Sequence, residues 1–145
     1  MVQLKEITQD NLDEVMSLSV AENQKLFVST PAESLAQAYV YKDTAFPFAI
    51  YEEEKVVGFI MLGYYEARNQ YTLWKFLIDK RFQSKGFGKE ALKQGIVYLK
   101  ERFHAKEIYT GVSVGNETAK HLYKSLGFVE TGLVEDNMEE LCLCL

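Results

Sequence analysis

Residues Tyr71 to Lys89 read YTLWKFLIDKRFQSKGFGK. An apolar, strand-like run ending at Ile78 feeds a polar turn carrying Gly86 and Gly88, and an amphipathic helical pattern begins directly beyond it. A strand that passes through a glycine-spaced turn into a helix makes an anion cradle. The first amides of the helix have no intrahelical acceptor and point outward at the positive end of its dipole, and glycine lets the backbone come close to the bound group. An isolated glycine pair is more often an ordinary tight turn, so the reading depends on what the rest of the chain supplies.

Upstream of this stretch, Val2 to Ile7 alternates like a strand, and Thr8 stands as the cap of a helix whose face carries Leu12, Val15, Met16 and Ser19. Thr30-Pro31 opens a second helix running to about Tyr41, because proline is tolerated at the first helical position. Phe46–Tyr51 and Val56–Tyr65 read as a hairpin across the polar turn Glu52–Lys55, and the turn Glu66–Gln70 leads back into the quoted strand. Downstream, Lys89–Arg102 places Leu92, Ile96, Leu99 and Phe103 on one stripe, with Gly88 and Gly95 allowing close approach to a sheet. Ile108–Val112 follows as a strand. Asn116 then caps a helix whose apolar face is Ala119, Leu122, Tyr123 and Leu126, and Gly127 suits the left-handed position after it. Phe128–Val134 and Met138–Cys144 are the last strands. The order β-α-α-β-β-β-α-β-α-β-β describes an α+β fold around one mixed sheet, and 145 residues make one domain, 1–145.

Composition narrows the function. With 48% hydrophobic residues, 13% aromatics and two prolines, this is a packed globular chain. No apolar run approaches the roughly 20 residues that span a bilayer, and the first residues are not a signal peptide, so a soluble cytoplasmic protein without a membrane partner is expected. Cys142 and Cys144 lie two apart on a strand, which points both to one face; such close neighbours rarely pair, and no histidine stands near them to suggest a metal. The net charge of −5 is unevenly divided: Lys75–Lys106 holds nine basic and three acidic residues, the remainder seven and eighteen. A polyanionic cofactor on the basic segment and a cationic substrate elsewhere would fit this division, as would two differently solvated surfaces. The acidic total and the lack of a reading helix disfavour nucleic acid.

Two motifs together carry a resemblance. Gln83-x-x-Gly86-x-Gly88 and the later NETAKHLYKSLGF, Asn116 to Phe128, resemble the acetyl-CoA motif and the second signature of the GCN5-related N-acetyltransferase (GNAT) family, and the resemblance covers nearly the whole chain. It implies a mixed, largely antiparallel sheet with flanking helices, whose central parallel strand pair splays to admit the pantetheine arm of acetyl-CoA. Carried over residue by residue, Phe76, Leu77 and Ile78 would offer strand amides to that arm. Gln83, Ser84, Lys85, Gly86, Phe87 and Gly88 would hold the pyrophosphate with help from Lys89, and Asn116 would contact the arm. The Tyr123 hydroxyl would lie by the thioester sulfur and protonate the departing thiolate.

Direct transfer also requires an oxyanion donor, for which the Ile78 amide is the candidate, and a route for the substrate's proton. Some relatives in this family carry a carboxylate on the strand just before the splay, where this chain has Trp74-Lys75. A base acting through water must then come from elsewhere, with Glu66 and Glu22 as candidates beside the plain reading of both as solvated surface acids. Segments such as AENQKLFVST and PFAIYEEEKVVGF look like bacterial spermine and spermidine acetyltransferases. That implies a small cationic amine as partner, drawn to an acid- and aromatic-lined channel for which Glu22, Glu53, Glu54, Glu66, Phe27, Tyr39, Tyr64 and Tyr65 are available. Other acceptors (a protein N-terminus, an aminoglycoside, an amino-acid derivative) and a non-catalytic CoA sensor are the rival readings. Homodimers are frequent in the resembled family, so a homodimer is one expectation.

Overall fold

The computed structural model describes the whole chain, Met1–Leu145. Its elements are β1 (Val2–Glu6), α1 (Leu12–Met16), α2 (Pro31–Val40), β2 (Ala45–Glu52), β3 (Lys55–Tyr65), β4 (Gln70–Ile78), α3 (Phe87–Phe103), β5 (Glu107–Ser113), α4 (Glu117–Ser125), β6 (Val129–Glu135) and β7 (Met138–Cys144). The expected element order is the observed one. All strands join a seven-stranded sheet in the order β1-β2-β3-β4-β5-β7-β6, antiparallel everywhere except between β4 and β5.

Each face of the sheet has its own core. On one side α3 and α4 cover Ile60, Leu62, Leu73, Ile78, Ile108 and Leu141, with Leu92, Leu99, Tyr123 and Phe128 filling the layer. Gly95 brings α3 down onto the sheet: a Cβ there would stand 3.1 Å from Leu62 and 3.2 Å from Ile60. The other side buries Val15, Leu18, Ala49, Phe59, Met61 and Leu77 beneath α1, α2 and the segment between them. Full burial of one such aliphatic or aromatic side chain contributes about 1.5–3 kcal/mol, so the two layers dominate the fold's stability.

The first helix is shorter than the sequence pattern suggests. Thr8 does not cap it; the Thr8 carbonyl instead accepts from the amides of Asn11 and Leu12, forming a turn, and the helix then runs only from Leu12 to Met16. Val15 alone is buried from the expected face, while Leu12 and Met16 are exposed. The chain leaves the helix at Ser17 to bury Leu18 and Val20 instead. The second helix starts as expected, with a reciprocal cap between Thr30 and Glu33 and Pro31 in its first turn.

The pairing of β4 positions the site. Met61 pairs with Lys75 and Leu62 with Leu73, so Trp74 is an extra residue, a β-bulge. Strand parity is thereby shifted by one: Leu73, Phe76 and Ile78 contact the α3 core, while Trp74 and Leu77 contact the opposite one. The parallel pairing of β4 with β5 also stops here, its last pair being Leu73 with Thr110, and the two strands separate beyond it. Thr110 Oγ1 donates to the Leu73 carbonyl at 3.0 Å in the buried corner where they part.

Beyond β4, Asp79 fixes the chain's exit. It is buried, its amide donates to the Val57 carbonyl, and its carboxylate accepts from the amides of Ser19 (3.0 Å) and Arg81 (2.9 Å) and from Arg81 Nε (2.8 Å). Desolvation pushes this carboxyl up, but the hydrogen bonds from Arg81 and Ser19 outweigh it and hold its pKa below the ordinary carboxylate value. A lowered folded-state pKa means stability that is complete above the unfolded value of about 3.9 and is lost as pH falls through the folded one. Asp79→Ala should therefore cost about 2–4 kcal/mol in urea denaturation at pH 7, because buried donors lose their acceptor. The gap between variant and wild type should shrink below about pH 4; equal stability at pH 7 would refute the role.

Candidate active site

The turn from Gln83 to the start of α3 is built as a cradle of donors. Ser84 and Gly86 are left-handed, with φ of +64° and +84°, and none of the backbone N–H groups from Gln83 to Lys89 donates to a protein acceptor. Successive amides turned outward beside a helix N-terminus form an anion-binding concavity. Its two glycines do different jobs. A Cβ on Gly86 would meet nothing within 4 Å, so its requirement is the positive φ. Gly88 has ordinary φ, and its missing side chain admits Phe76, whose Cζ would lie 3.1 Å from a Cβ there. The Gln83 side chain is a strut: Nε2 donates to the Ile78 carbonyl at 2.9 Å, and its amide makes a reciprocal pair with Gln24 at 2.9 and 3.1 Å. Lys85 and Lys89 flank the cradle without an acidic partner in the structure.

From the cradle, β4 leads to the gap between the separated strands. Because the Asp79 amide points to β3, the alternation of an antiparallel ladder turns Leu77 and Lys75 the same way and leaves the Phe76 and Ile78 amides facing β5, which no longer pairs there. Of the expected strand donors, Phe76 and Ile78 therefore face the gap with their backbone, whereas Leu77 contributes a side chain. The gap holds a cavity of about 110 Å³ lined by, among others, Lys75, Phe76, Leu77, Thr110, Asn116 and Tyr123.

Asn116 and Tyr123 reach this cavity from one helix. The Asn116 side chain caps α4 by accepting from the Ala119 amide at 3.3 Å, and Tyr123 sits in the same helix against the edge of Phe128 at 5.4 Å between ring centres. Burial pushes the Tyr123 phenol up to about 12, opposed by a hydrogen bond with Thr110 that pulls it down. A phenol in this state is protonated, and able to donate, throughout the neutral range.

The two candidate bases are not at this cavity. Glu22 is exposed and holds Lys25 at 2.7 Å, a contact that lowers its pKa and makes it a poorer proton acceptor. Glu66 lines a separate cavity of about 550 Å³, with Tyr41, Tyr64, Tyr65 and Trp74, at the opposite end of β4 from the cradle. Glu53 and Glu54 are exposed at the β2–β3 hairpin tip, which lies at the cradle end, where Lys55 Nζ stands 5.9 Å from the Phe82 ring. Of the proposed channel aromatics, Phe27 lines the gap and Tyr64 and Tyr65 the second cavity, while Tyr39 is exposed under Lys42.

Sequence reasoning passed over three residues. Lys75 is half-buried in the gap, its Nζ donating to Ser29 Oγ at 2.9 Å, and burial pushes its pKa down with only partial relief from the charge of Glu33. Thr110 and Asp79 brace the gap and the cradle. A hydroxyl at the middle of Ile108-x-Thr110-x-Val112 and an acid closing an apolar strand were the available signals. No cluster of three or more histidine, cysteine or acidic side chains gathers anywhere in the structure.

Residues 12–128 match the Acetyltransferase (GNAT) family. The chain is similar to the spermine/spermidine N(1)-acetyltransferase of Bacillus subtilis, 32% identical over 97% of this chain and 95% of that protein. It is also similar to the spermidine N(1)-acetyltransferase of Vibrio cholerae, at 27% over 72% of this chain and 61% of that one. Among solved structures, a spermidine N-acetyltransferase from Vibrio cholerae in complex with CoA and spermine shares the fold with a TM-score of 0.79, at 20% identity over 99% of this chain and 95% of that one. The cradle can be tested directly. Gly86→Val puts a β-branched residue at φ +84° and should weaken CoA binding by about tenfold or more in calorimetry, the equivalent of about 1.4 kcal/mol, with the fold retained. Unchanged affinity would reject the cradle as the phosphate site.

Proposed function

The chain belongs to the GNAT acetyltransferase family and is an N-acetyltransferase that uses acetyl-CoA; within that family, we propose that it moves the acetyl group onto a primary amine of spermine or spermidine by direct transfer. One domain, residues 1–145, would carry both substrates. The observation that supports this reading most is the convergence of the Tyr123-lined gap and the donor cradle along the C-terminal half of one bulged strand and its exit, in a chain aligned almost end to end with a spermine/spermidine acetyltransferase.

In this reading Ser84 to Lys89 hold the pyrophosphate through backbone amides, with Lys85 and Lys89 adding charge, and Gln83 keeps the loop in place. Asn116 and the Phe76 backbone would line the path of the arm, and the Ile78 or Phe76 amide, both facing away from β3, would donate to the thioester oxygen as charge develops on it. The acceptor arrives as an ammonium and must lose its proton to water before its nitrogen attacks; the new C–N bond forms, the C–S bond breaks, and Tyr123 gives its proton to the leaving sulfur and regains one from the nitrogen through solvent. Neither cysteine is placed in this path, since Cys142 is buried against Glu107 and Cys144 is exposed at the strand end. We take the enzyme to act in the cytoplasm, where both thiols stay reduced, and as a homodimer, for which the exposed edge strand β6 with Val129 and Val134 is suited.

Lys75 favours a second reading. A half-buried cation in the gap would welcome a carboxylate beside the acceptor amine, as in an amino-acid derivative or a protein N-terminus. Thiol release with spermine, spermidine, amino acids and short peptides separates the two: saturable turnover confined to the peptides or amino acids would overturn the polyamine assignment. Tyr123→Phe should lower kcat by about a hundredfold. Because the phenol stays protonated to about pH 12, the wild-type rate should rise with pH as the amine deprotonates, with no falling limb from Tyr123 below about pH 11. An undiminished kcat in the variant would remove Tyr123 from the chemistry.

A further inference from the structure

Charge is arranged oppositely on the two sides of Trp74. Trp74 lines both the gap and the cavity of about 550 Å³ beyond it, so the two hollows meet at the bulge. On the gap side the bulge's neighbour is the Lys75 ammonium. On the other side no lysine or arginine lines the cavity; its walls are Tyr41, Tyr64, Tyr65 and Trp74 with neutral polar side chains, and Glu66 is its one formal charge. Glu66 has no cationic partner in the structure, and the nearest cation in sequence, Arg68, is turned away to Glu135 and, at 3.5 Å, to Glu140. Glu66 is exposed, and an unpaired carboxylate lining the same cavity as several aromatic rings can attract an ammonium by charge while the rings add cation–π attraction.

From this geometry we infer that the cavity bounded by Tyr41, Tyr64, Tyr65, Glu66 and Trp74 binds the remote ammonium groups of a linear polyamine while its terminal amine reacts in the gap. The inference rests on the proposed transferase reading and adds the substrate's orientation to it. A polycation reaching the thioester must send its remaining charges somewhere, and Lys75 disfavours the gap side. Beyond Trp74 the strand offers the run from Gln70 to Trp74, about 13 Å at about 3.3 Å per residue, which is long enough for the part of an extended triamine that lies beyond its reacting amine. Glu66 is then a specificity residue that holds charge, and proton removal is left to solvent at the distant amine.

The test is steady-state acetylation of spermidine and of n-butylamine, a monoamine without a remote charge, by wild type, Glu66→Gln and Glu66→Asp. Loss of the charge should raise KM for spermidine about tenfold, the loss of about one charge-assisted contact, leave kcat and its pH profile in place, and leave n-butylamine unaffected; aspartate should restore part of the affinity. A fall in kcat shared by both amines, or no change with either, would overturn the assignment. Calorimetry of spermidine into the CoA-bound protein separates this failure from that of the transferase reading. If no polyamine is acetylated, spermidine binding that weakens in Glu66→Gln still supports the cavity, and the absence of binding overturns it.

Discussion

Trp74 is one residue more than the β3–β4 ladder can pair, and the geometry of the site follows from how the sheet accommodates it. A strand alternates its side chains with period two, so without the bulge Leu73 and Phe76 would lie on opposite faces. With it, both pack toward α3, and the backbone between them bends out of line with β5. The parallel ladder then ends at Leu73 and Thr110, and the amides of Phe76 and Ile78 are left facing a gap that α4 lines with Asn116 and Tyr123. The Thr110 hydroxyl satisfies the Leu73 carbonyl at the corner, so the opening begins without a stranded acceptor.

The bulge of β4 and its C-terminal exit are held by different means because they do different work. At the C-terminal end the cradle is an exposed turn with little packing of its own, and its position depends on buried polar contacts: Asp79 binding the Ser19 and Arg81 amides, and Gln83 bridging Ile78 and Gln24. At the bulge, by contrast, aromatic and aliphatic packing sets the geometry, with Trp74 edge-on to Tyr41 at 5.8 Å and Phe76 beneath Gly88. The polar groups that survive in this drier region are shifted accordingly, the Tyr123 phenol upward and the Lys75 ammonium downward, both principally by burial.

Most of the fold was legible because its signals are local. The stripe Leu92, Ile96, Leu99 and Phe103, the Asn116 cap, the Thr30-Pro31 helix start and Gly127 with φ +103° each follow from residue chemistry within one or two turns of chain. The cradle and the Asn116–Tyr123 helix were legible for the same reason. What could not be read is what depends on registry between strands. LWKFLI is an almost unbroken apolar run in which a bulge leaves no mark, so the shift at Trp74 and the facing of Phe76 against Leu77 emerge only from the pairing. The first helix misled because Leu12, Val15 and Met16 fit a helical period, yet only Val15 has a core to enter. The neighbourhood of Glu66 is tertiary as well: it is the exposed turn acid that the sequence suggests, and only the fold shows that Tyr41, from another element, lines the same cavity.

Unpaired backbone donors are tolerated here in two different ways. Ser84, Lys85 and Gly86 are exposed, so water satisfies their amides until an anion replaces it, and the arrangement costs the fold little. The Phe76 amide borders a cavity of only about 110 Å³ between packed strands, where fewer waters fit and an unmade hydrogen bond costs about 1–3 kcal/mol. The sheet therefore gives up pairing energy where β4 and β5 part, and the large buried layers on both faces, together with the continuous β2–β3–β4 ladder, supply the stability that lets the opening persist. A donor kept unpaired in a partly dry slot is also one that need not be stripped of bulk solvent when a carbonyl enters, which is the form of preorganisation that favours charge developing on that oxygen.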